Sequence, residues 1–271
     1  MEHRQILFES REIPENPVRI VSLSPSVTEI LYLLGMERSI VGISAFCARP
    51  PETSGKRKIG SYGFVRDEVM AELKPDVMFL MSGFQEKFFL ENRDRYPIVM
   101  FELPESVAGV IDLVNRVGKA VSREDEARSL ARELFRKMPE PAVTGLSGYI
   151  EIDLGGPVSF GRHSYITDAL SMYGIETIYR NENMEWLTPE DSRILSEDPD
   201  VVIYEPKMYY NFREKDLQKL VTSRGWDTLS AWKTGNFHVT PGPLDFFAHH
   251  GPSFITEVLP WLAGIVSRKE E

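Results

Sequence analysis

The histidines are the first residues to weigh. The chain of 271 residues carries five, and His249 and His250 stand side by side shortly after Asp245 in PLDFFAHHGP. An imidazole near a carboxylate can move a proton, so His249 and Asp245 form a candidate acid–base pair. A metal centre is the poorer reading. Adjacent side chains in an extended segment point to opposite sides, and no HxxH, HxxE or CxxC spacing occurs anywhere in the chain. Arg162, in SFGRHS, suits a carboxylate or phosphate, and reads equally well as a solvated loop residue. The single cysteine, Cys47, excludes an intrachain disulfide and is expected as a half-buried free thiol. GxSxG and GxxxxGK[ST] do not occur, and the glycines of DLGGPVSFGR lack the GxGxxG spacing that cradles a pyrophosphate. No catalytic residue is therefore assigned beyond that one pair.

The elements that position these residues alternate. RIVSL from Arg19 reads as a short apolar strand. SPSVTEILYLLG follows, where Ser26 and Glu29 have capping-box spacing and Gly35 stops a helix. Further apolar runs at Ile40 to Ser44, Val77 to Met81 and Ile98 to Glu102 are separated by helical or turn segments, the rhythm of a parallel sheet. From Glu105 to Met138 the pattern is helical. After a cap at Ser122, the residues Ala127, Leu130, Ala131, Leu134, Phe135 and Met138 make one apolar face of a long helix. MPEPAVTG breaks it, and a second series begins with LSGYIEID, a helix at Tyr165 to Tyr173, a strand at Val201 to Glu205 and a closing helix from Pro252. The expected organisation is an N-terminal α/β lobe over 1–104, a bridging helical segment over 105–140 and a C-terminal α/β lobe over 141–271. ELKPDVMFL and SEDPDVVIYE echo one another, each a helix end, a Pro-Asp turn and an apolar strand.

Composition narrows the partners. Basic residues number 31 against 41 acidic ones, a formal charge of −10 without a long Lys/Arg run, which excludes a phosphate-tracking surface for nucleic acid. The segment Met1 to Asn16 is mixed and charged and lacks the apolar stretch of a secretory signal. As written, the protein is expected in the cytoplasm; a sequence begun too late would place it outside.

RIVSLSPSVTEILYLLG, VGIS, RPPE, KIGSYG and LKPDVMFL, in this order and spacing, resemble the vitamin B12 (cobalamin) and iron-siderophore substrate-binding proteins of ABC importers. SFGRHSYITDALSMYG, EWLTPEDSRILSEDPDVVIYE and WDTLSAWKTGNFHVTPGPLDFFAHHGPSFI continue the likeness, which spans residues 18 to 266. The resemblance implies two α/β lobes with mainly parallel sheets, joined by one long α-helix and closing on a ligand in the cleft between them. It implies a non-enzymatic protein, working as a monomer without a cofactor of its own, that holds a corrinoid for a permease.

A corrin or siderophore is large and partly apolar, so it wants flat aromatic walls and a few fixed polar groups. By resemblance the ligand-binding residues are Phe46, Tyr62, Phe84, Arg162, Trp186, Asp245, Phe246, Phe247 and His249. Cobalamin-binding members often carry Trp where this chain has Tyr62, Met81 and Phe246, so ring area is smaller here. In importing relatives one glutamate on each lobe engages permease arginines. The first corresponds to Glu68; at the second position stands Ser192, flanked by Glu190, Asp191 and Arg193. The alternatives are an iron-siderophore or haem carrier, or a cytoplasmic enzyme or cofactor-handling protein using His249 and Asp245.

Overall fold

The computed structural model describes residues 8–9 and 13–267. The chain divides into two compact units, Met1–Pro104 with Val110–Arg136, and Glu105–Gly109 with Lys137–Glu271. This differs from the expected three-segment division, because most of the helical stretch belongs to the first unit.

The first unit runs β1 (Phe8–Glu9), β2 (Ile20–Ser22), α1 (Pro25–Leu33), β3 (Ile40–Ser44), β4 (Lys58–Gly60), α2 (Asp67–Leu73), β5 (Val77–Met81), α3 (Glu86–Asn92), β6 (Ile98–Phe101), α4 (Val107–Ala120) and α5 (Glu124–Phe135). Its sheet has the order β1-β6-β5-β2-β3-β4, parallel throughout except for β1 against β6. β2, β5 and β6 are buried along their whole length, which is why they read as unbroken apolar runs rather than alternating ones. The chain leaves β2 in one direction through β3 and β4 and returns on its other side through β5 and β6. The carboxyl ends of β2 and β5 therefore flank a topological switch point, where open α/β sheets place ligands.

Two expectations are corrected here. The cap of α1 is Ser24, not Ser26: the Val27 N–H donates to Ser24 Oγ at 3.4 Å, and Pro25 fills the first helical position, where a missing N–H costs nothing. The long helix to Met138 is two helices. The chain turns at Ser122, whose φ of 51° is left-handed, and α5 ends at Phe135. Gly118 permits the turn: a Cβ there would lie 2.3 Å from the Cβ of Ala127.

The second unit runs β7 (Leu146–Asp153), β8 (Pro157–Phe160), α6 (Tyr165–Met172), β9 (Ile175–Thr177), β10 (Trp186–Leu187), α7 (Asp191–Glu197), β11 (Val201–Glu205), α8 (Glu214–Ser223), α9 (Ser230–Lys233), β12 (Phe237–Val239) and α10 (Leu259–Ser267). α10 continues a π-helical turn at Phe254–Val258, and the helical run opens at Pro252 as expected. The sheet order is β10-β8-β7-β11-β12, with β9 also on β7; β9, β11 and β12 run parallel to their neighbours, while β8 and β10 are antiparallel.

The Pro-Asp echo is a structural repeat. α2 and α7 both end on a left-handed residue, Lys74 (φ 43°) and Asp198 (φ 41°), ahead of the Pro-Asp pair. Asp76 then accepts the N–H groups of Val18 and Arg19, both at 2.9 Å, just before β2. Asp200 accepts the N–H and hydroxyl of Ser147, at 2.9 and 2.8 Å, at the start of β7. Even the first residue of each helix is held alike. Asp67 takes Arg95 (2.9 Å) and the Tyr96 hydroxyl (2.7 Å), and Asp191 takes Arg224 (2.6 Å) and the Trp226 indole N–H (3.1 Å). Glu68 and Ser192 thus occupy the same second position of equivalent helices, and both are exposed.

Candidate functional sites at the strand ends

In the first unit the aromatic residues expected from the sequence stand at the carboxyl edge of the sheet. Phe46 follows β3, Tyr62 follows β4 and Phe84 follows β5. Phe46 and Tyr62 are half-buried and lie face to face, ring centroids 4.6 Å apart and 7° from parallel, while Phe84 is 62% exposed. Buried Gln85, which the sequence reading passed over, holds three of these loops together. Its Oε1 accepts the Met81 N–H (2.9 Å), and its Nε2 donates to the carbonyls of Tyr62 (2.9 Å) and Leu23 (3.5 Å).

Cys47 is not half-buried but wholly enclosed, in a cage of hydroxyls from the ends of β2, β3 and α1. Thr28 donates to its Sγ at 3.0 Å, Ser44 Oγ lies 3.5 Å away, and Sγ reaches the Ser22 carbonyl at 3.7 Å. Burial pushes the thiol up in pKa, so it stays protonated and serves the packing of the turn.

In the second unit the loop after β12 carries Asp245, Phe246, Phe247 and His249, and its backbone is fixed by a residue not singled out in the sequence. Glu205 closes β11 and is buried; its carboxylate accepts the N–H groups of Phe246 (3.0 Å), Phe247 (2.5 Å) and Ala248 (3.3 Å). Burial, then the neighbouring Asp245 charge, lifts its pKa from 4.5 to about 7, against the three donors that favour the anion. The Tyr165 hydroxyl donates to the Phe247 carbonyl at 2.6 Å, which ties the start of α6, three residues past Arg162, to the same loop.

Two ligand assignments do not survive this packing. Phe246 and Phe247 are buried, and their rings meet Trp261 edge-on at 5.6 and 5.8 Å, with Phe254 at 6.1 Å from Phe247. They are core residues of the second unit, because the closing helical run brings Trp261 and Phe254 under the loop. His249 is buried with them, and burial followed by the His249 neighbour pushes His250 down to about 3, so that imidazole is neutral. Arg162 is exposed and half-buried Trp186 sits on β10 opposite Phe160, so both keep an accessible part. Among the described residues, no three His, Cys, Asp or Glu side chains come together as a metal-holding group.

The sequence reading also missed a cavity of about 500 Å³ at the carboxyl ends of β11 and β12. Its lining comes from Pro206, Lys207 and the 209–212 stretch on one side, and from Val239, Thr240 and the 242–244 stretch on the other. Tyr209 and Tyr210 are each about half exposed, and the Tyr209 N–H donates to the Pro243 carbonyl at 2.7 Å. The signal in the sequence was there: two consecutive tyrosines just past the end of an apolar strand.

Comparison with known proteins agrees with this architecture. The family model described as "Periplasmic binding protein" matches residues 20–244. A vitamin B12-binding protein of Photorhabdus laumondii is 21% identical over 76% of this chain and 79% of its own length. An ABC transporter substrate-binding lipoprotein, YvrC of Bacillus subtilis, is 24% identical over 91% of this chain and 79% of its own. A solved structure from Staphylococcus epidermidis, described as a possible iron-binding (periplasmic solute-binding) protein, superposes with a TM-score of 0.74 at 21% identity, over 92% of this chain and 99% of that one, a likeness of fold. These findings overturn the expected cytoplasmic placement, since the family and these relatives are extracytoplasmic solute-binding proteins. They also leave no place for the acid–base reading of His249 and Asp245, because such proteins bind a solute for a transporter and do not transform it. On the match over residues 20–244, the chain belongs to the periplasmic binding protein family.

Proposed function

We propose that this protein captures a corrinoid of the cobalamin type and passes it to the permease of an ABC importer. The observation that carries the reading is the stacked Phe46–Tyr62 pair, with exposed Phe84 beside the same switch-point edge. A ring stack held open to one side by fixed loops suits the flat apolar part of a macrocycle, and exposed aromatic area at such an edge is worth covering. The relatives described as vitamin B12-binding support the choice of ligand. Arg162, Trp186 and Asp245 are the groups of the second unit proposed to meet the amide fringe, and the corrinoid is cargo rather than a resident cofactor.

For delivery, exposed Glu68 at the start of α2 is proposed as the permease contact of the first unit. The equivalent Ser192 offers no charge, and Asp191 is occupied by Arg224 and Trp226, which leaves exposed Glu190 as the nearest carboxylate. The protein is proposed to act as a monomer.

The test is a titration of the purified protein with cyanocobalamin, followed by corrin absorbance and tryptophan fluorescence. Saturable binding at micromolar affinity or better, about −8 kcal/mol, weakened by Tyr62→Ala and Trp186→Ala, is the expected result. Absence of binding would refute the corrinoid reading and turn the search to haem and ferric siderophores, the ligands suggested by relatives of the iron-binding kind.

A further inference from the structure

We propose that the cavity at the ends of β11 and β12 is a separate subsite for the nucleotide tail of the corrinoid, an aromatic base joined to the macrocycle through a phosphodiester. The inference rests on the corrinoid reading above and specifies what one part of the ligand touches. Its volume, about 500 Å³, falls in the lower part of the range for ligand sites, ~300–1,000 Å³. That is room for an appended ring system and its linker, and too little for a whole macrocycle.

The lining has the two chemistries such a tail requires. Tyr209, Tyr210 and Phe212 provide ring faces, and the first two are 55% and 52% exposed, an unusual amount of aromatic area to leave in water on consecutive residues. Lys207 provides a cation, and Asn211 and Thr240 provide neutral donors, while no carboxylate lines the cavity. An ammonium beside hydroxyl and amide donors, with no competing anion in the wall, selects a phosphate-like group over a cation.

The tyrosines are also held in place. Tyr209 has a φ of 65°, in the left-handed region that a bulky aromatic side chain disfavours, and its N–H is fixed on the Pro243 carbonyl at 2.7 Å. Tyr210 donates its hydroxyl to Asp216 at 3.3 Å, and Asp216 in turn caps the first turn of α8 through the Arg213 N–H at 3.0 Å. Tyr210 and Phe212 pack edge-on at 6.3 Å, and Phe212 is anchored on Tyr204 of β11 at 5.4 Å. A loop that tolerates a strained aromatic and braces its neighbour from the sheet presents rings rather than hiding them.

The experiment compares two probes on the intact protein: cyanocobalamin, and dicyanocobinamide, which keeps the corrin ring and lacks the base and phosphodiester. The wild-type protein is expected to bind cobalamin on the order of ten-fold or more tightly than cobinamide, the gain of one charge-assisted contact and a ring stack. Lys207→Ala and Tyr209→Ala, both at exposed positions, are expected to bring the ratio of the two affinities close to one, with circular dichroism unchanged. Equal affinity of the wild-type protein for both probes, or variants that keep the full ratio, would overturn the inference while leaving the corrinoid reading intact. Failure to bind either probe would overturn both.

Discussion

Replacing Glu205 with glutamine separates the charge of this side chain from its shape. In the unfolded chain its carboxyl titrates near 4.5, and in the folded protein near 7. Below about pH 4.5 the group is protonated in both states. Between there and 7 the folded protein keeps a proton that the unfolded chain has released, so raising the pH draws the equilibrium toward unfolding. Above 7 both states carry the charge and the loss is complete. The interval from 4.5 to about 7, at about 1.4 kcal/mol for each pH unit, corresponds to about 3 kcal/mol. The variant lacks this titration, so the stability of the wild-type protein relative to Glu205→Gln should fall by about 3 kcal/mol between pH 4.5 and 8. All four tryptophans, at 186, 226, 232 and 261, lie in the second unit, so their fluorescence during urea unfolding reports the part of the molecule that contains Glu205. Other ionisable groups are common to both proteins and cancel in the difference. A difference that stays constant across this range would refute the account of Glu205 as a buried anion latching the 246–248 backbone.

Two further perturbations test the packing of each unit. Arg224→Ala should destabilise the second unit by about 3–5 kcal/mol in the same urea assay, because buried Glu151, 2.5 Å from Arg224 and hydrogen-bonded to the Tyr149 hydroxyl, would be left without its cation. Gly118→Ala should lower the thermal midpoint with a cost of about 1–3 kcal/mol, since its methyl would meet Ala127 at 2.3 Å and the Arg123 carbonyl at 3.0 Å; an unchanged midpoint would mean that the turn between α4 and α5 is not set by this contact.

The strands of both sheets and most of the helices were legible because a fully buried parallel strand has nowhere to put a polar residue, and the runs at Val77–Met81 and Val201–Glu205 contain almost none before their last position. The break at Ser122 was not legible, since the charged, helix-favouring residues after it continue the apolar period of a single helix. Phe46, Tyr62 and Phe84 could be placed from their positions just past strands. Phe246 and Phe247 could not be told from them by type or position, because what buries them is Trp261 and Phe254, which arrive from later in the chain. Glu205 posed the same difficulty in reverse. A glutamate at a strand end reads as a surface residue until a loop some forty positions later folds its N–H groups over it.

The matched carboxylates of Asp76 and Asp200 have a consequence for how such a molecule diversifies. Each fastens the entry of its own sheet using residues of its own unit alone, so neither half depends on the other to set its strand register. The loops beyond the opposite strand ends, and the second positions of α2 and α7, can then be rewritten in one half while the other keeps its inherited form. Glutamate at one of those helix positions and serine at its twin, or a tyrosine pair after β11 and a glycine and phenylalanine after β5, are changes that such an arrangement lets accumulate without disturbing either sheet.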